Sequence, residues 1–186
     1  MKIATHDSAT GEKSKNWLHT LGKIFAQTQT KTIREQYEAG CRYFDLRVDK
    51  DLVLCHGLWK SKKTLRDILI EMREYVTEIV YVAVTIEREY PECMMRDILT
   101  RIEFELNLRP MVKKVYIARK KPKLEVLVAY RIIQVKAAYL SVPTPKQYLT
   151  FAFKDWRRYI PIPWLLKKIT PKIDYNEDCF TMLDFI

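Results

Sequence analysis

Two of the three histidines stand where short apolar runs end, His6 in Ala4-Thr5-His6-Asp7-Ser8 and His56 in Leu54-Cys55-His56-Gly57. Between them, in Tyr43-Phe44-Asp45-Leu46-Arg47, Asp45 and Arg47 alternate with apolar residues, so on a strand they point to the same side. A charged pair aimed inward is unfavourable unless it is put to use. Two imidazoles, a guanidinium and neighbouring carboxylates form the set needed to cleave a phosphodiester by an internal hydroxyl. One imidazole removes the hydroxyl proton, the guanidinium holds the phosphate oxygens bidentately, and the other imidazole protonates the leaving alcohol.

Residues this far apart in the chain meet only if regular elements carry them to one place. The sequence alternates short β-like runs with amphipathic helical stretches, the pattern of βα units around a parallel sheet. The clearest strand is Ile79 to Ile86, apolar on both faces and rich in β-branched residues, hence buried on both sides; similar runs are Cys41 to Val48, Val53 to His56, Val115 to Ala118, Leu124 to Ile133 and Phe180 to Ile186. Thr64 precedes a stripe of Leu65, Ile68, Leu69, Met72 and Val76, with Asp67 at the third helical position. A second stripe is Met95, Ile98, Leu99, Ile102 and Leu106, closed by Pro110. Thr32 and Glu35 form a capping box for a short helix that Gly40 ends. No repeat, linker or low-complexity segment is visible, so one α/β domain over 1–186 is expected. In a parallel α/β barrel, polar residues at the C-terminal ends of strands share one mouth.

The chain has 186 residues, 48% of them hydrophobic, with 4 Gly and 8 Pro. This excludes disordered and collagen-like chains. No run of eighteen uncharged apolar residues occurs, and the segment from Met1 to His6 lacks the apolar core of a signal peptide. The chain as written is expected to be cytoplasmic; a form from which an export signal had been removed would be secreted. Cys41, Cys55, Cys93 and Cys179 include no CxxC pair, so neither a zinc site nor a redox motif is expected and all four read as reduced core thiols. The formal charge of +10 implies an anionic partner: nucleic acid, a membrane surface or a phosphorylated ligand.

Taken together and in order, Thr5-His6-Asp7-Ser8, Gly40-Cys41-Arg42-Tyr43-Phe44-Asp45-Leu46-Arg47 and Cys55-His56-Gly57 resemble the catalytic X region of phosphatidylinositol-specific phospholipase C. Further similarity runs from Thr64-Leu65 to Ile86, through Val126 to Arg131, and in Met182-Leu183-Asp184-Phe185. The resemblance is good over the first half and patchy after it. It implies a TIM barrel, and because the chain falls below the ~200 residues at the low end for that fold, a small or incomplete one. It also implies that His6 is the general base acting on the inositol 2-hydroxyl and His56 the general acid for the diacylglycerol oxygen. Asp184 would orient His6, Asp7 would lie near His56, and Arg131 would contact the inositol or its phosphate.

Arg47 occupies the position where the metal-independent bacterial members carry arginine and the calcium-dependent ones an acidic ligand. No cofactor is therefore expected. Glu87 departs from the metal-independent pattern, in which lysine is usual; it is read as a substrate contact, a salt-bridge partner of Arg47, or a ligand that would bring calcium back. Asp45 serves as the buried partner that orients the Arg47 guanidinium. His19 has no such context and reads as a surface residue.

In the stretch from Phe153 to Lys168, Trp156, Arg157, Arg158 and Trp164 alternate rings with cations, a pattern suited to anionic headgroups and equally to a packed helix pair broken by prolines. The leading expectation is a phosphodiesterase that converts a phosphatidylinositol-type lipid to diacylglycerol and cyclic inositol phosphate, in peripheral contact with an anionic membrane. Cleavage of RNA or a glycerophosphodiester by the same chemistry, and a non-catalytic basic module binding anionic lipid or nucleic acid, are the alternatives. The aligned motifs argue against a nucleic-acid partner.

Overall fold

A computed structural model of the chain describes residues 2–119, 132–135 and 180–183. Eight strands are present among them: β1 (Lys2–Thr5), β2 (Cys41–Val48), β3 (Val53–His56), β4 (Trp59–Thr64), β5 (Val80–Ile86), β6 (Val112–Arg119), β7 (Ile132–Val135) and β8 (Phe180–Leu183). The helices are α1 (Trp17–Ala26), α2 (Ile33–Glu38), α3 (Leu65–Tyr75) and α4 (Glu92–Asn107). Six strands run parallel in the order β6-β5-β2-β1-β8-β7, and the hairpin β3–β4 joins the end of β2 antiparallel. This is an α/β, partial-barrel arrangement, the α/β class expected from the alternation of runs and the incomplete barrel from the family resemblance and the chain length.

The two sequence caps form as written. Thr32 accepts from the Glu35 N–H while Glu35 accepts from the Thr32 N–H, and Thr64 and Asp67 do the same for α3. Each box satisfies backbone donors that a helix start otherwise leaves open. The α3 stripe Leu65, Ile68, Leu69 and Met72 and the α4 stripe Met95, Ile98, Ile102 and Leu106 pack on Phe44, Leu46 and Val48 of β2 and Val82, Val84 and Ile86 of β5. Each buried aliphatic chain contributes roughly 1.5–3 kcal/mol, so this layer fixes β2 and β5 side by side.

Side chains alternate along a strand, and the helix-facing set of β2 is thereby separated from Tyr43, Asp45 and Arg47. These three are equally buried but lie on the opposite, inner face. The β5 register places Ala83 beside Asp45 and Thr85 beside Arg47. Two small neighbours leave room for two charged ones.

β1, four residues long, is the short strand expected to end at His6. Two elements escaped the sequence reading: α1, and β4 with its polar Trp59-Lys60-Ser61-Lys62-Lys63-Thr64. β6 begins three residues before the expected run, and β5 begins at Val80 because Ile79 is exposed. Of the expected strand from Leu124 to Ile133, the described residues contain only its end, within β7.

The cysteines do not form one class. Cys41 and Cys55 are buried thiols, whereas Cys93, in the first turn of α4, is exposed, so the expectation of a core thiol fails there; Cys179 lies outside the described residues. Burial pushes the Cys41 thiol up to about 11 and the Cys55 thiol up to about 12, the latter reinforced by Asp49 and Glu87. Alkylation at pH 7.5 followed by peptide mapping is expected to modify Cys93 at least ~100-fold faster than Cys41 or Cys55, because reaction requires an accessible thiolate. Comparable rates at the three would contradict this packing.

Candidate active site

The C-terminal ends of β1, β2, β3 and β5 converge, and each delivers part of one cluster. Successive residues of a strand point to opposite faces, so His6 and Asp7 would diverge if β1 simply continued. The chain instead turns at Asp7, whose φ is 45°. Aspartate is among the few residues that tolerate this left-handed region. The turn is held by Thr10, whose N–H and hydroxyl both donate to the Asp7 carbonyl at 2.9 Å. Thr28 Oγ1 at 2.8 Å and Gln29 Nε2 at 3.3 Å donate to the His6 carbonyl.

Arg47 is the centre of the cluster. Its Nε pairs with Asp7 Oδ1, Nη1 lies 3.4 Å from Glu87 Oε2, Nη2 lies 3.9 Å from Asp45 Oδ2, and Nη2 is 2.9 Å from His6 Nε2. A guanidinium can only donate, so His6 Nε2 is the acceptor and carries the lone pair of a neutral ring. Burial alone would lower the Arg47 pKa, but Asp7, Asp45 and Glu87 outweigh it and hold the group above the usual guanidinium range. Asp45 is buried beside Arg47, and Asp45 Oδ2 also accepts the Asp7 N–H at 3.3 Å.

Asp7 Oδ2 lies between the two imidazoles, 3.4 Å from His6 Nε2 and 3.2 Å from His56 Nδ1. The shorter contact of His56 Nδ1 is with the Ala26 carbonyl at 2.7 Å. A carbonyl can only accept, so Nδ1 carries a proton and Nε2 is turned to the outside. Gly57 follows with φ of 56° and donates its N–H to Glu87 Oε1 at 3.0 Å. Glu87 thus forms the salt bridge to Arg47 that was one of its readings from the sequence and also ties it to the His56 turn, a contact the sequence did not reveal.

Burial is the main reason the Asp45 carboxyl sits above its ordinary range; the Asp7 charge adds to this, while Arg47 and His6 oppose it. A carboxyl raised on folding contributes stability below its unfolded pKa and loses it as pH rises through the folded value. Asp45→Asn keeps the shape and cannot ionise. Its melting temperature is expected to gain on the wild type as pH increases from 4 to 7 in parallel thermal melts, and a gap that shrinks with pH would contradict this assignment.

The donor atoms of His6, Asp7 and Asp45 lie within 4.8 Å of one another, a spacing that a cation could use. The Arg47 guanidinium already stands among them on Asp7 and His6. With that positive charge in place, the arrangement does not fit a metal ion.

His19 lies at the surface, as expected, and has a partner there. Its Nδ1 lies 2.8 Å from the Leu58 carbonyl, which joins α1 to the turn after His56. Trp17, Leu18, Leu21 and Leu58 are 71%, 56%, 53% and 74% exposed, giving an apolar rim beside His56. Asn16, which accepts the His19 N–H as the N-cap of α1, was the available signal for this helix. Arg131, Asp184, Trp156, Arg157, Arg158 and Trp164 lie outside the described residues.

No family model matches the chain. It is 43% identical over 53 residues to the 1-phosphatidylinositol phosphodiesterase of Listeria monocytogenes, a match covering 28% of this chain and 16% of that protein. It is 42% identical over 65 residues to human PI-PLC X domain-containing protein 2, covering 31% of this chain and 21% of that one. Over these stretches the chain is similar to X-region phosphatidylinositol-specific phospholipases C. The solved structure of the phosphatidylinositol-specific phospholipase C from Listeria monocytogenes superposes on it with a TM-score of 0.54 at 16% identity, over 100% of this chain and 88% of the other. The fold of that phospholipase C is therefore shared. The sequence matches to the curated relatives span about a fifth or less of their lengths.

Proposed function

We propose that the chain is a phosphodiesterase of the phosphatidylinositol phospholipase C type, acting without a metal ion. The observation that carries this reading is the arrangement of His6, Arg47 and His56 around the single carboxylate of Asp7. His6 Nε2, which already holds a lone pair, takes the proton of the inositol 2-hydroxyl, and the freed oxygen bonds to phosphorus. Arg47, displaced from His6 by that hydroxyl, donates to the non-bridging phosphate oxygens. The bond from phosphorus to the diacylglycerol oxygen breaks, and protonated His56 delivers the proton of Nε2 to that oxygen. The new imidazolium of His6 faces Asp7 Oδ2 at 3.4 Å and Asp45 Oδ2 at 4.0 Å, which stabilise its charge. Water entering the leaving-group site reverses these proton movements and opens the cyclic phosphate.

The apolar rim of α1 and Leu58, on a chain of net charge +10, fits the surface of an anionic bilayer, where exposed rings and aliphatic chains insert while cations attract the headgroups. Replacing Trp17 and Leu21 together by alanine is expected to weaken binding to phosphatidylserine-containing vesicles ~10-fold or more, with turnover of a soluble substrate kept. Unchanged vesicle binding removes α1 from the interface. Arg157→Glu with Arg158→Glu tests the segment from Phe153 to Lys168 in the same assay, where unchanged binding removes it from the interface.

Phosphorus NMR of the protein with phosphatidylinositol in mixed micelles tests the reaction directly. A cyclic phosphodiester is expected in EDTA as well as in calcium. Its formation in calcium alone would overturn metal independence, and its absence in both would overturn the proposed substrate.

A further inference from the structure

We infer that α1 is a positioning element for the general acid: the seat of this helix on the Gly57–Trp59 turn sets the tautomer and direction of the His56 ring. The inference rests on the reaction proposed above. Three contacts carry it. The carbonyl of Ala26, the last residue of α1, receives the His56 Nδ1 proton at 2.7 Å. His19, two turns earlier on the same helix, is bonded to the carbonyl of Leu58 at 2.8 Å. Between them, Gly22 brings the helix backbone so close to the turn that an added Cβ would stand 3.0 Å from the Leu58 carbonyl carbon and 3.1 Å from its oxygen. Backbone lies on both sides of that contact, so neither side can yield by a change of rotamer.

The geometry ties the helix to the acid along a short path. A shift of α1 off the turn lengthens the bond from Ala26 to Nδ1. The Asp7 Oδ2 at 3.2 Å then faces Nδ1 without the carbonyl that kept the proton there, and the ring exchanges between its two tautomers and swings off the line to the leaving oxygen. General acid transfer depends on alignment, and a displacement near 1 Å can cost on the order of 100-fold. The face of α1 directed away from the turn carries the exposed Trp17, Leu18 and Leu21, so whatever seats on that face acts on the same helix that holds His56.

The test separates leaving groups. A soluble inositol phosphodiester with an alkyl alcohol needs the acid, whereas one with a nitrophenol leaves without it. His56→Ala, as the control, is expected to lose ~10²–10⁴-fold on the alkyl ester and far less on the nitrophenyl ester. Gly22→Ala is expected to show the same pattern, with on the order of 10-fold greater loss of kcat on the alkyl than on the nitrophenyl ester. Nitrogen-15 NMR of the neutral His56 ring is expected to show the Nδ1–H tautomer in the wild type and a mixture in Gly22→Ala.

His19→Ala, which adds no atoms, is expected to give the same asymmetry at smaller size and serves if Gly22→Ala does not fold. Equal losses on both esters, or an unchanged tautomer, would overturn the positioning role. Failure of the wild type to cleave either ester would overturn the proposed reaction instead, while the ring tautomer would still report on α1.

Discussion

Turnover of an inositol phosphodiester by His6→Ala is expected to fall ~10²–10⁴-fold, whichever alcohol leaves. That independence follows from the site. His6 Nε2 is the acceptor of an Arg47 N–H at 2.9 Å, so it offers a lone pair to the 2-hydroxyl, and deprotonation precedes or accompanies every productive attack. The backbone of residue 6 is held through its carbonyl by Thr28 and Gln29, contacts that alanine retains. The variant is therefore expected to fold normally, and the loss should appear in kcat. Steady-state kinetics on alkyl and nitrophenyl esters beside a melting curve measure this. Wild-type turnover by His6→Ala would remove the general base, whereas a loss confined to the alkyl ester would exchange the roles of the two histidines.

The largest effect on stability is expected at Arg47. Alanine there leaves Asp7, Asp45 and Glu87 without the cation that contacts all three, in a pocket where Asp7 and Asp45 are almost fully buried. Removing one member of a buried charge cluster is typically worth 3–5 kcal/mol, roughly a 6–20 °C fall in melting temperature for a chain of this size. Arg47→Lys keeps a charge but not the fork that reaches Asp7, His6 and Glu87 at once, and its turnover should still drop on the order of 10²-fold. Adding Asp45→Asn to Arg47→Ala should restore part of the lost stability, because the two groups interact and their effects do not add. Additive effects in that double variant would mean that Asp45 and Arg47 are energetically independent.

The parts of this structure that were legible in the sequence are those governed by local rules. Two capping boxes, two helix stripes and the strands Cys41–Val48 and Val53–His56 follow from periodicity and from side chains that reach their own backbone. The pairing of Asp45 with Arg47 was legible because two residues separated by one share a face. β1 was legible only by its end at His6, being too short to show a period, and β4 escaped because the hairpin lies at the edge of the sheet and carries polar side chains. The contacts of His19 and of the Ala26 carbonyl with the His56 turn link residues thirty or more positions apart, and no local pattern announces them. Glu87 was recognised as a site residue, yet its bond to the Gly57 N–H depends on how the β3–β4 turn folds over β5.

The strand that carries His6 and Asp7 has its two neighbours at very different distances along the chain. β1 pairs on one side with β2, about forty residues on, and on the other with β8, at residues 180–183. Loop closure over nearly the whole chain is entropically unfavourable and slows folding in proportion to its place in the nucleus. During synthesis, β2, β3 and β5, with Arg47, His56 and Glu87, can find one another long before β8 leaves the ribosome, whereas β1 remains an edge strand until then. The charged half of the site is thus assembled early, and the strand that ends at the base is secured last.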